Sequence, residues 1–443
     1  MLFVALAEVP QPSPWMVLPF GLLLGMLALV PLWAPDWWGR RYPWVALGFA
    51  ALTVGYYLIG LRAGSRVLHT AAEYVSFISL VGSLYVVSGG IHLKVRGGAT
   101  PWENTVFLAL GAVLANVLGT TGASMLLIRP WIRMNRARIT THHIVFFIFI
   151  VSNVGGALTP IGDPPLFLGY LKGVPFWWVA THCWPMWVVA FGLLLAVFLG
   201  VDGRNFRRIP QHLRDEARKS DSWSWQGGSN AFFLLVILGA VFLDHPPLLR
   251  EFLMVAAAAG SYWTTPRPVH EANHFNLHPV REVAILFVGI FATMMPALDW
   301  LELNAATLGT PTPGLFYWGS GLLSSVLDNA PTYLSFFSAA IGSLVTPDAI
   351  LAGKSAFPSV SEAHPEVAAL LAQPALARTL MAISMGSVFF GANTYIGNGP
   401  NFMVKAIADQ QGCRTPSFPG YIVRFTLPIL FPILAVVGWL FFR

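Results

Sequence analysis

The chain has 443 residues, of which 56% are hydrophobic and only 10% are charged. Soluble globular domains carry about 25% charged residues, so this composition excludes a water-soluble fold and indicates a helical membrane protein with many spans. The formal net charge of +6 does not indicate nucleic-acid binding, because the basic residues form short clusters between apolar segments, as topology signals do. The two cysteines, Cys183 and Cys413, support neither a disulfide framework nor a metal-thiolate cluster.

Apolar segments of about 17 to 25 residues, each long enough to cross the hydrocarbon core, follow one another along the chain. About ten of them are predicted to be spans, and two of these contain interruptions. In chain order they cover residues 16–34, 43–60, 70–91, 142–171, 176–200, 229–243, 248–264, 282–299, 376–408 and 420–442. The predicted fold class is an all-α polytopic membrane protein.

Two further apolar stretches, 103–133 and 312–345, have polar centres. The first centre runs from Leu118 to Ser124 and the second from Leu327 to Thr332. Because neither half of either stretch is long enough to cross a bilayer, we predict two re-entrant hairpins with their tips inside the protein. Non-helical backbone at membrane depth is tolerated only where it is buried in protein or lines a cavity.

The interruptions within the spans at 142–171 and 376–408 repeat one another. Residues 156–167 read GALTPIGDPPLF and residues 391–402 read GANTYIGNGPNF, so that Gly, Ala, Thr, Ile, Gly, Pro and Phe recur at the same spacing. Each segment places glycine, proline and polar residues where lipid would favour a continuous helix. Paired interruptions of this kind indicate the binding site of a secondary transporter.

The hairpins also align, because residues 107–124 match residues 316–333 without a gap. A unit of two spans, a hairpin, a broken span and a final span therefore occurs twice. Five crossings separate corresponding elements, so the two repeats are predicted to have inverted topology in the membrane. The predicted order is an N-terminal span (1–42), repeat 1 (43–200), a basic cytoplasmic linker with a connecting span (201–247) and repeat 2 (248–443).

The basic residues predict the orientation. With the N-terminus outside the cytoplasm, nineteen of the 26 Lys and Arg residues fall on the cytoplasmic side, which is the bias that the positive-inside rule describes. The C-terminus is then also predicted outside the cytoplasm, and the expected location is a bacterial inner (plasma) membrane. The basic residues on the outer side are Arg62, Arg66, Lys172, Arg250, Lys354, Arg378 and Arg443.

Two carboxylates lie within the interrupted elements, Asp163 in the first break and Asp328 at the second hairpin tip. An acidic group at membrane depth usually faces a wet cavity and binds an ion or a proton. Burial raises the pKa of a carboxylate and a nearby cation lowers it, so such a group can exchange a proton for a metal ion. The alternative interpretation is that each aspartate only caps a half-helix.

Neutral side chains with oxygen atoms accompany these carboxylates. Sodium prefers oxygen ligands, and the carbonyl groups freed by each break add more of them. The N-termini of the half-helices offer an anion site at the same positions. Sodium is predicted at Asp163 and Asp328, no cofactor is predicted, and the other predicted site residues are Thr120, Thr121, Asn153, Thr159, Asn329, Thr332, Asn393, Thr394 and Asn398.

Other titratable residues are less informative. Glu73, Glu282, His142 and His143 each lie near the start of a span and are predicted to be interfacial. Residues 270–274 read HEANH and fit H-E-x-x-H, the zinc-protease pattern in which two histidines on one helix bind the metal. Several prolines and asparagines surround the motif in a short connection, so an intramembrane zinc protease is a remote alternative.

At the interrupted elements the chain resembles the ion transporter superfamily, which includes NhaD-type sodium/proton antiporters, citrate and other carboxylate transporters, and arsenite permeases. The resemblance extends from about Val45 to the C-terminus and depends chiefly on residues 153–163 (NVGGALTPIGD) and 328–331 (DNAP). The first motif is most similar to the NhaD-type branch. The carboxylate branch typically has Ser-Asn-Thr at its hairpin tips, where this chain has Gly119-Thr120-Thr121 and Asp328-Asn329-Ala330.

The resemblance implies that hairpin tips and unwound helices bind ion and substrate, while one half moves against a scaffold that often forms a homodimer. The first hypothesis is a sodium/proton antiporter, not an enzyme, that transports Na⁺ and H⁺ by alternating access. The alternative is a sodium- or proton-coupled transporter of citrate, another carboxylate or arsenite. The expected partners are the lipid bilayer, small ions and a second copy of the chain, with no nucleic acid.

Overall fold

The computed structural model describes residues 10–95, 97–208, 224–243, 245–308 and 311–443. Nearly all regular structure in these residues is helical, apart from two short antiparallel strands, β1 (His92–Lys94) and β2 (Ser224–Gln226). By length and composition, eight helices of the described residues are able to cross a membrane, or up to nine if a bent pair is counted as one span. The prediction of an all-α polytopic membrane protein is confirmed.

Seven helices precede the basic linker. Proline stands in the first turn of several of them, where its missing N–H leaves no helical hydrogen bond unmade. Their bounds are α1 (Leu18–Trp33), α2 (Pro35–Gly55, continued as a π-helical turn to Gly60), α3 (Gly64–Gly89), α4 (Pro101–Met134), α5 (Thr141–Ile150), α6 (Pro164–Leu171) and α7 (Trp178–Arg207).

Eight main helices follow the linker. Two of them, at the predicted spans 229–243 and 248–264, have only 11 and 16 residues, fewer than the roughly 20 that a bilayer requires. Short helices at Pro347–Ala356, Pro358–Ser361 and Pro365–Ala372 lie between α12 and α13 of the following series. The main helices are α8 (Asn230–Ala240), α9 (Leu249–Thr264), α10 (His278–Asn304), α11 (Pro313–Ser324), α12 (Asn329–Leu344), α13 (Pro374–Phe390), α14 (Gly399–Gln410) and α15 (Phe431–Phe441, after the π-helical segment Ile422–Leu430).

Helix α4 is a hairpin rather than one continuous rod. Asn104 Nδ2 donates a hydrogen bond of 2.7 Å to Asn135 Oδ1, 31 positions later in the sequence, although a straight helix would separate these residues by about 46 Å. The rings of Phe107 and Trp131 also stack, with centroids 5.6 Å apart. The chain turns at Gly119, whose φ of 73° and ψ of 155° lie outside the range of ordinary L-residues. The two arms of α4 therefore run antiparallel.

Helices α11 and α12 form the corresponding pair in the second half. The rings of Phe316 on α11 and Phe336 on α12 lie 6.2 Å apart, edge to face. The chain turns between Ser324 and Asn329, where Asp328 stands at the N-cap of α12. Both predicted hairpin stretches therefore fold back at their polar centres. That these hairpins are re-entrant, and that the two halves are inverted repeats, remain predictions.

The two breaks have the same internal hydrogen bonds. Thr159 Oγ1 donates to the carbonyl of Asn116 at 2.6 Å and accepts from Gly162 N at 3.0 Å. At the matching positions of the second half, Thr394 Oγ1 donates to the carbonyl of Ser325 at 2.6 Å and accepts from Gly397 N at 3.1 Å. Each break is thus tied to the hairpin of its own half by a threonine, which supports the proposal of a repeat.

Glycine pairs allow each break to close tightly. A Cβ atom on Gly162 would lie 2.0 Å from the carbonyl oxygen of Gly156. A Cβ on Gly397 would lie 2.6 Å from the carbonyl oxygen of Gly391. Real side chains do not tolerate such distances, because protein interiors are close-packed. The repeated glycines are therefore explained by backbone segments that touch across each break.

The halves interlock through the helices that follow the breaks. Helix α6 packs against α12 of the second hairpin, and α14 packs against α4, the first hairpin. Helices α2, α3, α9 and α10 pack along one flank, where α3 contacts α9 and α10 contacts α2. This crossing brings the starts of four half-helices to one place near the centre of the molecule.

Part of the predicted linker lies outside the described residues. Helix α7 ends at Arg207 and β2 begins at Ser224. The basic residues Arg214, Arg218 and Lys219 of the predicted cytoplasmic segment fall between them, and Arg96 falls in another gap.

Candidate ion and substrate site

Asp163 lies where the first break ends and α6 begins, and it is fully buried. Its Oδ1 accepts hydrogen bonds from Thr120 Oγ1 at 2.9 Å and from Asn398 Nδ2 at 3.2 Å. Its Oδ2 accepts a hydrogen bond from Asn329 Nδ2 at 2.8 Å. Thr120 belongs to the first hairpin tip, Asn329 to the second hairpin tip and Asn398 to the second break. One carboxylate therefore connects all four interrupted elements.

Local sequence explains why this carboxylate bonds to distant residues. An N-cap aspartate normally accepts from the second or third N–H of its helix, but Pro164 and Pro165 have no N–H. The next amide, Leu166 N, donates to the backbone oxygen of Asp163 at 3.0 Å. No side-chain capping bond of Asp163 occurs in the described structure. The side chain of Asp163 therefore does not cap α6.

Four half-helices begin around Asp163. The second arm of α4 starts after Gly119, and α6, α12 and α14 start after Asp163, Asp328 and Asn398. The N-terminus of a helix carries a partial positive charge from its unpaired N–H groups. Four such ends create a local preference for negative charge at Asp163, which a bound anion would share.

A second layer of amides links the two breaks. Asn398 Nδ2 also lies 3.1 Å from Asn153 Oδ1, and Asn153 Nδ2 donates to Asn401 Oδ1 at 2.7 Å. Asn401 Nδ2 donates to the carbonyls of Gly391 and Thr394 at 2.8 and 2.9 Å. The amide network satisfies carbonyl groups that the broken helix leaves without partners. Asn153 thus links the two breaks, and it shares the Asn398 Nδ2 group with Asp163.

Three residues that fix this geometry are not among the predicted site residues. Asn116 Nδ2 donates to the carbonyl of Gly155 at 2.7 Å, and its Oδ1 accepts from Leu158 N at 3.0 Å. Ser325 takes the matching position of the second hairpin, and Asn401 joins the breaks as described above. Asn401 was detectable from the sequence, because the second break has a polar Asn401 where the otherwise similar first break has an apolar Leu166.

Asp328 occupies a different environment from Asp163. Its Oδ1 accepts a hydrogen bond of 3.0 Å from Ala330 N, so it caps α12. The side chain of Thr332 donates to the backbone oxygen of Asp328 at 2.9 Å. Asp328 is half-buried and lines the large cavity described below, without a hydrogen bond to Asp163 among the described contacts. The capping interpretation therefore fits Asp328, and its role in binding an ion remains a prediction.

The remaining predicted site residues lie around this centre. Asn393 Nδ2 donates to Ser325 Oγ at 2.8 Å, which leaves Asn393 in the wall between the second hairpin and the second break. Thr159 and Thr394 hold the breaks to their hairpins, as described for the fold. Thr121 lines a small cavity of about 20 Å³ beside the first hairpin tip and makes no contact with Asp163 in the described structure.

Two buried amide oxygens have no hydrogen-bond partner within the described residues: Asn329 Oδ1 and Asn393 Oδ1. Each amide uses its nitrogen as a donor, Asn329 to Asp163 and Asn393 to Ser325. A buried polar atom without a partner carries an unoffset desolvation penalty. Oxygen atoms of this kind suit a small hard cation, which takes oxygen ligands.

A cavity of about 820 Å³ reaches the site from one side. Asp328, Asn398 and Gly399 line its inner part. Arg129, Glu282 and Lys405 line it further along the helices that lead away from the tips. Arg129 lies nine residues after Thr120 on the second arm of α4, a rise of about 13 Å. The volume is within the range of small-molecule sites and exceeds what a single sodium ion needs.

An ion pair joins the end of α6 that lies away from Asp163 to α3. Lys172, at the C-cap of α6, places its Nζ 2.6 Å from Oε1 of Glu73 on α3. His69 Nε2 lies 3.1 Å from the same oxygen. Glu73 precedes the cavity-lining residue Tyr85 on α3 by twelve residues, about 18 Å along the helix. Glu73 is buried, and its side chain joins two helices; its interfacial position remains a prediction.

Another buried polar cluster lies at the base of the first hairpin. Asp202 on α7 is paired with Arg138, accepts from Asn104 Nδ2 at 2.9 Å and lies 3.0 Å from His143 Nε2. His142, His143 and Asp202 have ligand atoms within 4.8 Å of one another, but the guanidinium of Arg138 already neutralises the carboxylate. His143 is fully buried within the protein, and its predicted interfacial position remains a prediction. The cluster fixes the first hairpin, α5 and α7 to one another.

The H-E-x-x-H segment lacks the geometry of a zinc protease. A short helix spans Arg267–Ala272 and ends before His274, whose φ of 47° is left-handed. His270 packs against the rings of Tyr262 and Phe275. The two histidines therefore do not lie on successive turns of one helix, as that chemistry requires.

Comparison with known proteins identifies the family. Residues 9–442 match a protein family described as "Putative citrate transport". The chain belongs to this family. The match covers both hairpins and both breaks, and it agrees with the resemblance to the citrate transporter relatives within the ion transporter superfamily.

Curated relatives are membrane proteins of mycobacteria. An uncharacterized transporter of Mycobacterium bovis is 24% identical over 336 residues, which cover 72% of each chain. A 46 kDa membrane protein of Mycobacterium leprae is 25% identical over 337 residues, again 72% of each chain. Together with the family and the apolar helices, these relatives support a transporter integral to a membrane, rather than an enzyme.

Proposed function

We propose that the protein is a secondary active transporter in which Asp163 couples cation binding to movement between two access states. The observation that carries this proposal is the carboxylate of Asp163, which accepts hydrogen bonds from Thr120, Asn329 and Asn398. These donors come from the other three interrupted elements. The charge state of one residue thus influences how both halves of the molecule fit together.

Coupling follows from the chemistry of those hydrogen bonds. Bonds to an ionised acceptor are roughly twice as strong as bonds between neutral groups. When a proton or a sodium ion neutralises Asp163, the three donors lose much of their attraction to it. Asn329 is able to turn its unpartnered oxygen toward a cation, because its amide carries both a donor and an acceptor. Cation binding therefore loosens the contact between the halves and favours a rearrangement.

Sodium/proton exchange is the transport activity in which both aspartates have a role. Asp163 alternates between a proton and a sodium ion, and Asp328 at the cavity wall attracts cations toward the inner site. Alternating access then requires only that the cavity close on one side while the Glu73–Lys172 side opens. In this scheme Na⁺ and H⁺ are transported ions and no cofactor takes part.

A second candidate is cation-coupled transport of a carboxylate anion. Two observations favour it. The description of the family names citrate transport, and the cavity of about 820 Å³ is large enough for a small organic acid. The helix N-termini around Asn398 supply positive potential for such an anion. The coupling cation would still bind at Asp163.

The test is transport by purified protein in liposomes that contain a pH-sensitive dye. Sodium, lithium, citrate or arsenite is added outside, and internal pH and labelled solute are followed. We expect sodium and lithium pulses to move protons in the wild-type protein. Asp163→Asn should abolish this flux, because a neutral amide does not take up and release a proton in exchange for sodium.

Asp348→Asn is the matched control, since it makes the same chemical change at an exposed aspartate in the first turn of the short helix Pro347–Ala356. It should transport at close to the wild-type rate. Sodium-driven proton flux that survives in Asp163→Asn would remove Asp163 from the mechanism. Citrate uptake without any sodium-driven proton movement would favour the second candidate over antiport.

A further inference from the structure

Arg129 is the cationic residue of the large cavity that lacks an anionic partner. It lies on the second arm of α4, and its Nε and Nη1 atoms are buried with no hydrogen-bond partner among the described residues. Lys405, the other cation on the cavity wall, is paired with Asp409 at 2.6 Å. The two residues thus differ in whether their charge is already balanced.

An unpaired guanidinium with buried nitrogens is energetically unfavourable. Removing an ion from water is costly unless an opposite charge and hydrogen bonds offset the loss. The acidic residues on the cavity wall, Glu282 and Asp328, form no ion pair with Arg129 in the described structure. The described residues therefore offer Arg129 no fixed anion, and a mobile anion that enters the cavity would supply one.

The geometry of guanidinium selects the ligand class. Its planar N–H groups match the two oxygens of a carboxylate in a bidentate pair, which an ammonium group does not reproduce. The same cavity wall contains Asn398 and Gly399 at the N-terminus of the 12-residue helix α14, a second place that favours negative charge. A molecule with more than one carboxylate can use both places.

We propose that Arg129 is the residue that recognises a carboxylate substrate in this cavity. The ligand class is a small di- or tricarboxylate, with one carboxylate on the guanidinium and another toward the start of α14. This proposal rests on the second candidate of the proposed function. It adds a substrate-selecting residue that lies outside the hairpin tips and breaks.

The experiment is calorimetric titration of the full-length protein in detergent with citrate, succinate and, as a non-carboxylate anion, sulfate. We expect citrate and succinate to bind the wild-type protein. Arg129→Gln should weaken that binding about 30-fold or more, the effect of removing one partner of a buried charge pair. Arg129→Lys, which keeps the charge but not the planar fork, should give an intermediate affinity.

Arg133→Gln is the matched control, because Arg133 lies one turn further along the same arm and does not line the cavity. It should bind citrate as the wild type does. Equal citrate affinity in Arg129→Gln and wild type would overturn the proposal, as would equal affinity in Arg129→Lys if the glutamine variant fails to fold. Sulfate binding as tight as citrate would also overturn the assignment to carboxylates.

The two proposals fail separately. If wild-type protein binds no carboxylate but moves protons in response to sodium, the role of Arg129 is refuted and antiport through Asp163 stands. If Asp163→Asn keeps full cation-driven flux while Arg129→Gln loses citrate binding, the coupling role of Asp163 is refuted and the carboxylate site stands.

Discussion

Asp163 gathers its partners from residues that are far apart in sequence. Asn329 is 166 positions away and Asn398 is 235 positions away. All three donors are neutral, so none of these hydrogen bonds gives the carboxylate a positively charged partner. Its stabilisation comes from hydrogen bonds and from helix N-termini, which leaves the site able to accept a mobile cation.

The hydrogen bond from Thr120 to Asp163 can be tested with two substitutions that leave a side chain of similar size. Thr120→Val removes the hydroxyl donor and Thr120→Ser keeps it. A hydrogen bond to a charged group is worth about 1.5–3 kcal/mol, so we expect Thr120→Val to lower sodium-driven proton flux by about tenfold or more. The serine variant should remain close to wild type in the same liposome assay, and equal loss in both variants would show that the hydroxyl is not what matters.

At the residue scale, the sequence predicted that polar residues of the interrupted elements lie together, but not which of them bond to one another. Asp163 and Asp328 look equivalent as acids beside Pro or Asn, yet one binds across the molecule and the other caps its own helix. The difference arises because Pro164 and Pro165 deny Asp163 local donors, whereas Ala330 N is available to Asp328. Arg129 was counted only as a topology signal, since the direction of its side chain depends on packing that sequence periodicity does not reveal.

Helix boundaries were easier to predict than helix pairing. Apolar length and the positions of glycine and proline predicted both hairpin turns and both breaks. The pairing of α6 with α12 and of α14 with α4 was not predicted in detail, because it depends on which faces of distant helices fit together. Within the predicted spans 229–243 and 248–264, the helices have 11 and 16 residues, which is short for a bilayer.

At the element scale, the Glu73–Lys172 pair connects α3 to the end of α6, on the side of Asp163 away from the cavity. The pair spans a flank helix and a helix of the broken elements, so it must separate if the molecule opens on that side. We therefore expect it to stabilise the arrangement in which the large cavity is accessible.

Cysteine labelling measures this effect. Val326 lines the cavity with 47% of its surface exposed, so Val326→Cys, in a protein with Cys183 and Cys413 replaced by serine, should react with a maleimide in the cavity. Adding Glu73→Gln should slow labelling about fivefold, because a partly exposed pair contributes on the order of 1 kcal/mol. The charge-swapped pair Glu73→Lys with Lys172→Glu should restore it. An unchanged rate in Glu73→Gln would mean that the pair does not hold this arrangement.

At the scale of the whole molecule, the proposed inverted repeat has a consequence for sidedness. The connection after the first hairpin, near Asn135, is predicted on the cytoplasmic side. The connection after the second hairpin, near Val345, is predicted on the outer side. The two hairpins would then enter the membrane from opposite faces, with both tips meeting at Asp163.

Reporter fusions test this arrangement directly. Alkaline phosphatase, which is active only outside the cytoplasm, should be inactive when fused after Asn135 and active when fused after Val345. A fluorescent protein that folds only in the cytoplasm should give the reverse result at the same two positions. Equal phosphatase activity at both junctions would contradict the inverted topology, whatever the transport assays show.

The glycine contacts within the breaks bear on how such a molecule moves. Interrupted helices are often imagined as hinges, but Gly156 and Gly162, like Gly391 and Gly397, bring backbone against backbone with no room for a methyl group. Segments in such contact resist bending, because interiors packed to this density deform little. We therefore expect each break to travel as a stiff corner together with its hairpin, and the sliding surfaces to lie between these bodies and the flank formed by α2, α3, α9 and α10.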